Sequence, residues 1–336
     1  MEYRRIVSYW EGRRTLVTGG GGFIGGHLVV ALTRAGADVR ALCRYNSRSD
    51  RGTLDWFAPA DTDGVEVQFG DLRDPESVRR AMAGVEFAFH LGAQIAIPYS
   101  FVNPRDFVET NVGGTLNVAQ AALETGLQRL VHVSTSEVYG EARTWPITER
   151  HQLAPRSPYA ASKVGADMVL ASFRASFELP VAIARPFNTY GPHQSARAIV
   201  PTIMSQALDG GDLRLGSLEP RRDLTFVSDT VAGLMAIAAS DAALGETLQL
   251  GTGSDVSIAE LVTLIGTLTG RSLEPEVDPE RVRPGSSEVT RLVCDHGHAT
   301  ALTGWEPRVS LSDGLAQTLA WISVNQHRYR PSEYTK

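Results

Sequence analysis

The sequence predicts an α/β protein: a doubly wound parallel sheet with a smaller C-terminal lobe. Three observations carry that prediction. Short apolar runs alternate with stretches of helical periodicity from residue 14 to about residue 186, the pattern of strand–helix–strand units laid into one parallel sheet. The first run opens into a glycine-rich turn that leads directly into a helix. Beyond residue 187 proline, glycine and arginine punctuate the chain and the alternation gives way to helical pieces separated by loops. The expected division is a main domain of residues 1–186, with roughly 226–252 returning to it, and a second lobe of residues 187–225 and 253–330.

The elements follow in order. Arg14-Thr-Leu-Val-Thr18 reads as a buried strand and enters Gly19-Gly-Gly-Gly22-Phe-Ile-Gly25-Gly26, after which His27-Leu-Val-Val-Ala-Leu has helical periodicity. Glycines let a backbone turn tightly and approach a pyrophosphate, which sits where free N–H groups point out of a helix N-terminus. The loop fits both GxGxxG and GxxGxxG spacing, and no Gly-Lys-Ser/Thr follows, which excludes a P-loop. The second strand, Asp38 to Cys43, ends where an acid for the adenosine ribose is expected; Arg44-Tyr-Asn-Ser-Arg48 stands there instead, leaning toward a 2′-phosphate. A third strand, Val65 to Phe69, leads to Gly70-Asp71-Leu72, whose carboxylate can accept from an adenine amino group. A helix from Pro75 to Ala83, a strand from Phe87 to Ala93, a long helix from Asp106 to Gly126 and a fifth strand from Gln128 to Val133 come next. The fifth strand stops at Ser134-Thr135-Ser136-Glu137. Ligands of a parallel sheet bind beyond the carboxyl ends of its strands, so hydroxyls and a carboxylate here mark where chemistry is expected. A sixth strand, Pro180 to Ala184, ends in Arg185-Pro-Phe-Asn188. Beyond residue 187 helices are expected over Ile199 to Leu208, Asp229 to Ala239, Ile258 to Leu268 and Ser312 to Ser323.

Between the fifth and sixth strands lies Ser157-Pro-Tyr159-Ala-Ala-Ser-Lys163. On a helix, Tyr159 and Lys163 share one face a turn apart. A free phenol ionises near pH ~10 and is a poor base at neutrality. An adjacent ammonium is expected to lower that value, letting the tyrosine take a proton from a substrate hydroxyl. Arginines in the lobe's glycine/proline loops, Arg222 and Arg283 among them, match the oxygens of a diphosphate.

Composition narrows the class. A net charge of −6 over 336 residues gives no footprint for nucleic acid. No apolar run approaches the roughly 18 residues of a membrane span, and residues 1–10 contain no uninterrupted apolar core of a signal peptide. Cys43 and Cys294 follow no metal-ligand spacing and read as reduced, packed thiols, so no metal is expected. The expected setting is cytoplasmic.

These motifs together resemble the extended short-chain dehydrogenases/reductases, the nucleotide-sugar epimerase/dehydratase family with its Rossmann sheet, over essentially the whole chain. The resemblance rests on Thr18 to Gly25, Gly70-Asp71-Leu72, His90 to Ala93, Asn111 to Thr115, Ser134 to Gly140, Tyr159 with Lys163, Arg185 to Asn188 and Arg222-Asp223. Within the family, Ala96 to Ser100, Ser134 to Gly140, Ser195-Ala-Arg197 and Arg283-Pro284 with Glu288-Val289 are similar to 4,6-dehydratases of the legionaminic-acid type, which act on nucleotide-linked N-acetylglucosamine. The resemblance implies a tightly bound, recycled NAD or NADP held by Gly19, Gly22, Phe23, Ile24, Gly25, Arg44, Asp71, Leu72, Leu91, Ala93, Asn111, Tyr159 and Lys163. It implies catalysis by Thr135, Ser136, Glu137, Tyr159 and Lys163. Gln94, Ser100, Thr135, Asn188, Arg197, Arg222 and Arg283 are implied contacts of a nucleotide-diphosphate sugar; the apolar character of Ile95-Ala-Ile97, and that alone, suits an N-acetyl group at C2.

The implied reaction oxidises C4 of the sugar, eliminates water across C5 and C6, and returns the hydride to C6. Glucose-type dehydratases carry an aspartate where this chain has Ser136, which leaves Glu137 as base and acid. A UDP-glucuronate decarboxylase, a 4-epimerase and a dinucleotide-sensing protein stay open as alternatives. A homodimer is expected, because small residues on the helices around Gly113 and Gly165 permit close pairing with a second copy.

Overall fold

The computed structural model describes residues 9–334, except for the side chain of Ser286. Residues 1–8, most of the stretch read above for a targeting signal, lie outside the described residues. Strands β1 (Arg14–Thr18), β2 (Asp38–Arg44), β3 (Glu66–Gly70), β4 (Phe87–His90), β5 (Arg129–Val133) and β6 (Val181–Pro186) follow one another along the first part of the chain. Helices α1 (Phe23–Arg34), α2 (Pro75–Met82), α3 (Ile97–Val102), α4 (Pro104–Phe107), α5 (Gly114–Thr125) and α6 (Pro158–Phe177) connect them. The chain then builds the lobe strands β7 (Asn188–Tyr190), β8 (Leu213–Leu215), β9 (Arg221–Arg222) and β10 (Leu224–Phe226), with α7 (Ile199–Asp209) among them. Helix α8 (Val227–Ala239) and strand β11 (Thr247–Leu250) come next, followed by β12 (Val256–Ser257), α9 (Ile258–Thr269), β13 (Pro275–Val277), β14 (Arg291–Leu292), α10 (Gly297–Thr303) and α11 (Leu311–Val324).

The main sheet has seven strands in the order β11-β6-β5-β4-β1-β2-β3, and every pairing in it is parallel. The direction of winding reverses between β1 and β4, which opens a crevice at their carboxyl ends. Six of these strands were expected. The seventh, β11, is four residues with a glutamine at its centre, too short for periodicity to mark it. It joins the sheet beside β6 with Leu248 opposite Ala184.

Alternation along the strands divides the core into two layers. Leu16, Ala88 and Leu130 face one side, packing with Met82, Val118 and Leu170 from α2, α5 and α6. Their neighbours Val17, Phe89 and Val131 face the other, against Leu28 and Leu32 of α1 and Leu234 of α8. A strand sends successive side chains to opposite faces, so a strand buried on both sides must be apolar at nearly every position. That requirement is why these segments read as continuous apolar runs.

Two boundaries differ from the sequence reading for local reasons. Strand β4 stops at His90, because the Leu91 N–H donates to the Thr18 carbonyl at 3.2 Å and the Gly92 N–H to Thr18 Oγ1 at 3.1 Å, bending the chain over the end of β1. The long helix expected from Asp106 contains a π turn, Val108–Gly113, between α4 and α5. Within that turn Asn111 Oδ1 accepts from the Gln94 N–H at 2.8 Å, while its Nδ2 donates to the Gln94 carbonyl at 2.9 Å and to Ser162 Oγ at 2.8 Å. Such turns inside helices are frequent at functional sites. The helix ends at Gly126, whose φ of +65° suits a residue without a side chain.

Phe89 is fully buried in the central strand. Phe89→Ala is therefore expected to cost about 3–5 kcal/mol, read as a lower urea midpoint with an unchanged slope. An unchanged midpoint would contradict the two-layer core.

Candidate active site

A cavity of about 1170 Å³ opens along the carboxyl ends of β1, β2, β4 and β5 and continues beneath the lobe. Its floor is the glycine turn. Gly19 has φ +70°, and a Cβ there would lie 2.8 Å from Gly92 Cα; a Cβ on Gly25 would lie 2.1 Å from the Gly19 carbonyl oxygen. The backbone is thus packed against itself too closely for any side chain. Helix α1 starts at Gly22 with no side-chain cap and no acid in its first turn. Its first N–H groups stay available to an anion. A cradle that only glycine fits, ending on an uncapped helix, is what a dinucleotide pyrophosphate requires.

Gly19, Gly22, Phe23, Ile24 and Gly25 line this part of the cavity, and Arg44, Asp71, Leu72, Leu91 and Ala93 line its continuation. Asp71 is shared. It accepts from the Arg73 backbone N–H at 2.9 Å and pairs with the Arg73 guanidinium at 2.5 Å, which holds its carboxyl below the usual carboxylate range. Asn111 does not reach the cavity; it is buried and hydrogen-bonded to the backbone of Gln94, which does. Neither Arg73 nor the role of Asn111 was anticipated, although the alternating charges of Asp71-Leu-Arg73 were a signal for the first.

The expected catalytic residues converge from two elements. Thr135 and Glu137 come from the end of β5, and Tyr159 and Lys163 from the first turns of α6; all four line the cavity. Ser157 caps α6, accepting from the Ala160 N–H at 3.1 Å, and fixes where the helix begins. Glu137 lies in a short 3₁₀ turn, Ser136–Tyr139, where its N–H donates to Thr135 Oγ1 at 3.2 Å. Ser136 is buried and does not line the cavity. Burial pushes the Tyr159 phenol up to about 12, against a hydrogen bond with Thr135. The depression expected from Lys163 is not what these groups show. Lys163 Nζ donates to the Val133 carbonyl at 2.8 Å and lies 3.3 Å from His132 Nε2, and burial pushes the ammonium itself down to about 8.

The lobe supplies the other wall. Asn188, Arg197, Arg222 and Arg283 line it, as does Gln94 from the main domain. Ser100 does not; it is fully buried and its hydroxyl donates to the Ile97 carbonyl at 2.7 Å. Arg222 donates to Glu288 at 3.1 Å, and Arg283 lies 3.8 Å from Glu288 and 3.6 Å from Glu137. Two carboxylates and two guanidinium groups therefore share one end of the cavity; Glu288 entered the sequence reading as part of the family resemblance but not as a site residue. Asn188 Oδ1 is buried without a hydrogen-bond partner, an orphaned polar atom of the kind a ligand satisfies. Tyr334, with the Arg281 guanidinium 4.7 Å over its ring, also reaches the cavity, a contact from the last described residue that no local motif announces. Among the described residues no group of three His, Cys, Asp or Glu side chains could hold a metal ion. None of the described helices is long and apolar enough to cross a membrane.

The glycine cradle makes a direct prediction. Gly25→Ala must displace the Gly19 carbonyl, so NAD affinity measured by calorimetry is expected to fall by about tenfold or more. Unchanged affinity would show that the turn does not contact the dinucleotide.

A family model described as GDP-mannose 4,6 dehydratase matches residues 16–318. The dTDP-glucose 4,6-dehydratase of Actinoplanes sp. is 32% identical over 319 residues, covering 93% of this chain and 98% of its own. The UDP-glucose 4-epimerase of Mycolicibacterium smegmatis is 34% identical over 315 residues, covering 92% and 98%. Among solved structures, a double mutant of the dTDP-glucose 4,6-dehydratase of Streptomyces venezuelae, with NAD bound, superposes with a TM-score of 0.85 at 33% identity, covering 94% of this chain and 98% of that one. With its sheet order, its glycine cradle and a match along nearly its whole length, the chain belongs to the GDP-mannose 4,6 dehydratase family, within the nucleotide-sugar dehydratases and epimerases of the extended short-chain dehydrogenase/reductase class.

Proposed function

We propose that this protein is an NAD-dependent nucleotide-sugar 4,6-dehydratase, converting a nucleotide-linked hexose or N-acetylhexosamine to its 4-keto-6-deoxy form. The observation that carries this reading is the Glu137 carboxylate, which shares a cavity with Tyr159 and Lys163 and comes from the same strand end as Thr135. Hydride removal at C4 requires only the phenol, the lysine and the cofactor, so an epimerase has no use for a carboxylate at this position. Elimination requires a base for the C5 proton.

The residues divide the work. The Gly19 to Gly25 cradle would hold the dinucleotide, whose chemistry would be reversible hydride acceptance from C4 with return at C6, C5 then regaining a proton from solvent through Glu137. In the free protein burial keeps the Tyr159 phenol protonated, so it would serve as base only as the phenolate that the positive charge of a bound oxidised nicotinamide and the Lys163 ammonium would favour. In that form, hydrogen-bonded to Thr135, it would take the C4 hydroxyl proton as the ketone forms. The ketone acidifies the C5 proton, and Glu137 removes it. Because Ser136 faces away from the cavity, Glu137 is also the group that returns a proton to the departing C6 hydroxyl. Arg222 and Arg283, with Asn188, hold the diphosphate, and Ile95 and Ile97 on the cavity wall face the substituent at C2. At the adenosine end, Arg44 stands where a ribose-binding acid would select NAD, whereas the solved S. venezuelae relative holds NAD. If Arg44 favours a 2′-phosphate, Arg44→Ala shifts the ratio of NAD to NADP affinity toward NAD; an unchanged ratio removes that role. A second copy of the chain is proposed as partner, since Val108, Leu116 and Met168 leave apolar surface exposed on the π turn, α5 and α6. Light scattering at micromolar concentration should report a dimer, and a single monomer mass would rule it out.

A panel of nucleotide sugars read by product mass tests the reaction: loss of water supports the dehydratase, loss of carbon dioxide a decarboxylase, and no change in mass an epimerase. Glu137→Gln is expected to lower turnover by about 10²–10⁴-fold while substrate still binds and reduced nicotinamide still forms. Tyr159→Phe should prevent any reduced nicotinamide from appearing. Wild-type dehydration by Glu137→Gln would overturn the mechanism.

A further inference from the structure

Behind Lys163, on the side away from the cavity, lies a group of polar side chains that the mechanism above does not use. His132 on β5 and Asp167 on α6 are fully buried, and Arg185 on β6 is nearly so. Lys163 Nζ lies 3.3 Å from His132 Nε2, and the same Nε2 lies 3.5 Å from Asp167 Oδ1. Asp167 Oδ2 accepts from Arg185 Nη2 at 2.9 Å and from the Ser134 hydroxyl at 3.0 Å. Arg185 Nη1 continues to the Tyr139 hydroxyl at 2.9 Å, which Gln249 also contacts at 2.7 Å. From β4, His90 stacks obliquely on His132 with ring centres 5.2 Å apart and is itself held by Thr18 and Thr115. The remaining ionisable groups around Lys163 are Tyr159, one helical turn earlier, and Glu137 beyond it.

We propose that His132 and Asp167 form a positioning pair for Lys163, His132 accepting one ammonium proton through Nε2 and Asp167 supplying the charge that keeps the ammonium protonated. Donor accounting carries the argument. An ammonium has three N–H groups. One goes to the Val133 carbonyl, and with the imidazole proton on Nδ1, which is buried without a partner, a second goes to His132 Nε2, so the third is left for the cavity. The lysine is thereby aimed as well as anchored. Burial pushes the His132 imidazole down to about 4, so at neutral pH it is uncharged and its Nε2 can accept. Burial pushes the Asp167 carboxyl up, but the Arg185 guanidinium and the Lys163 ammonium outweigh that and hold it below the usual range; with Nε2 turned to the lysine, His132 gives it no hydrogen bond. Asp167 therefore stays an anion. Removing its charge would leave Arg185 facing Lys163 uncompensated, so the ammonium would lose its proton at lower pH. Neither residue touches the cavity, so both act through the lysine.

The chain contains only two lysines, Lys163 and Lys336, which makes the lysine directly observable. Protein labelled with ¹³C at lysine Cε gives two signals, and Lys336→Arg assigns them. The wild-type Lys163 signal is expected to titrate near 8. Asp167→Asn should weaken its proton affinity by about tenfold or more, and His132→Leu should weaken it as well. His132→Gln, whose side-chain oxygen can accept the same proton, should titrate as the wild type. Wild-type titration in both Asp167→Asn and His132→Leu overturns the proposal. So does a His132→Gln variant that falls with His132→Leu, because packing alone would then explain the effect. If Asp167→Asn does not fold, the two His132 variants decide the question. The proposal deepens the dehydratase reading, but the titration uses free protein without substrate. Its failure would leave the assigned reaction standing, and failure of the reaction assay would leave the titration standing.

Discussion

Everything in this molecule is arranged around one close approach, the backbone of Gly19 against that of Gly92. β1 and β4 are neighbours in the sheet, yet the chain leaves them in opposite winding directions. At their ends the turn after β1 and the exit of β4 press together with no room for a Cβ on Gly19. That contact seals the floor of the crevice and leaves helix α1 with an uncapped N-terminus facing it. The next strand along, β5, delivers Thr135 and Glu137 to the same edge, and α6 returns to place Tyr159 and Lys163 opposite. The distance from cofactor cradle to sugar is thus set by strand spacing in a rigid sheet, not by loops.

The second constraint is charge. Buried ions are tolerated only when paired, and breaking such a pair costs about 3–5 kcal/mol. The chain meets this in two places. Behind Lys163, the carboxylate of Asp167 binds Arg185 and the Ser134 hydroxyl, tying β5, β6 and α6 together. At the lobe, Glu288 occupies Arg222 and lies near Arg283. In that second cluster the pairing is looser and faces the cavity, as the proposed exchange of a carboxylate for a substrate phosphate would require. Arg283 also lies 3.6 Å from Glu137, so the group expected to hold the substrate's diphosphate touches the group expected to take its proton.

Most of the main domain was legible because the physics that makes its elements is local. A strand buried on both faces must be apolar throughout, a helix must repeat its apolar face, and a turn that admits no Cβ must be glycine. Those rules marked β1 to β6, α1 and the Gly19 to Gly25 loop. They did not mark β11, whose place depends on the already formed edge of β6. At the site, Tyr159, Lys163, Thr135 and Glu137 were found because their spacing is short and they sit at element ends. Ser100 and Ser136 face away from the cavity because a side chain's direction depends on the turn that carries it, and Ser136 lies in a 3₁₀ turn that presents its neighbour instead. His132 and Asp167 lie 35 residues apart on different elements, and Glu288 lies 66 residues from Arg222. Contacts made only in three dimensions leave no mark on a linear pattern.

The central claim is that hydride leaves C4 and returns to C6 while Glu137 handles the proton at C5. The most direct measurement starts from a nucleotide sugar carrying deuterium at C4 and locates the label in the product by mass and NMR. The account predicts the deuterium in the C6 methyl group of a 4-keto-6-deoxy product. Deuterium retained at C4, with water still in the sugar, would contradict it and make the protein an epimerase or decarboxylase.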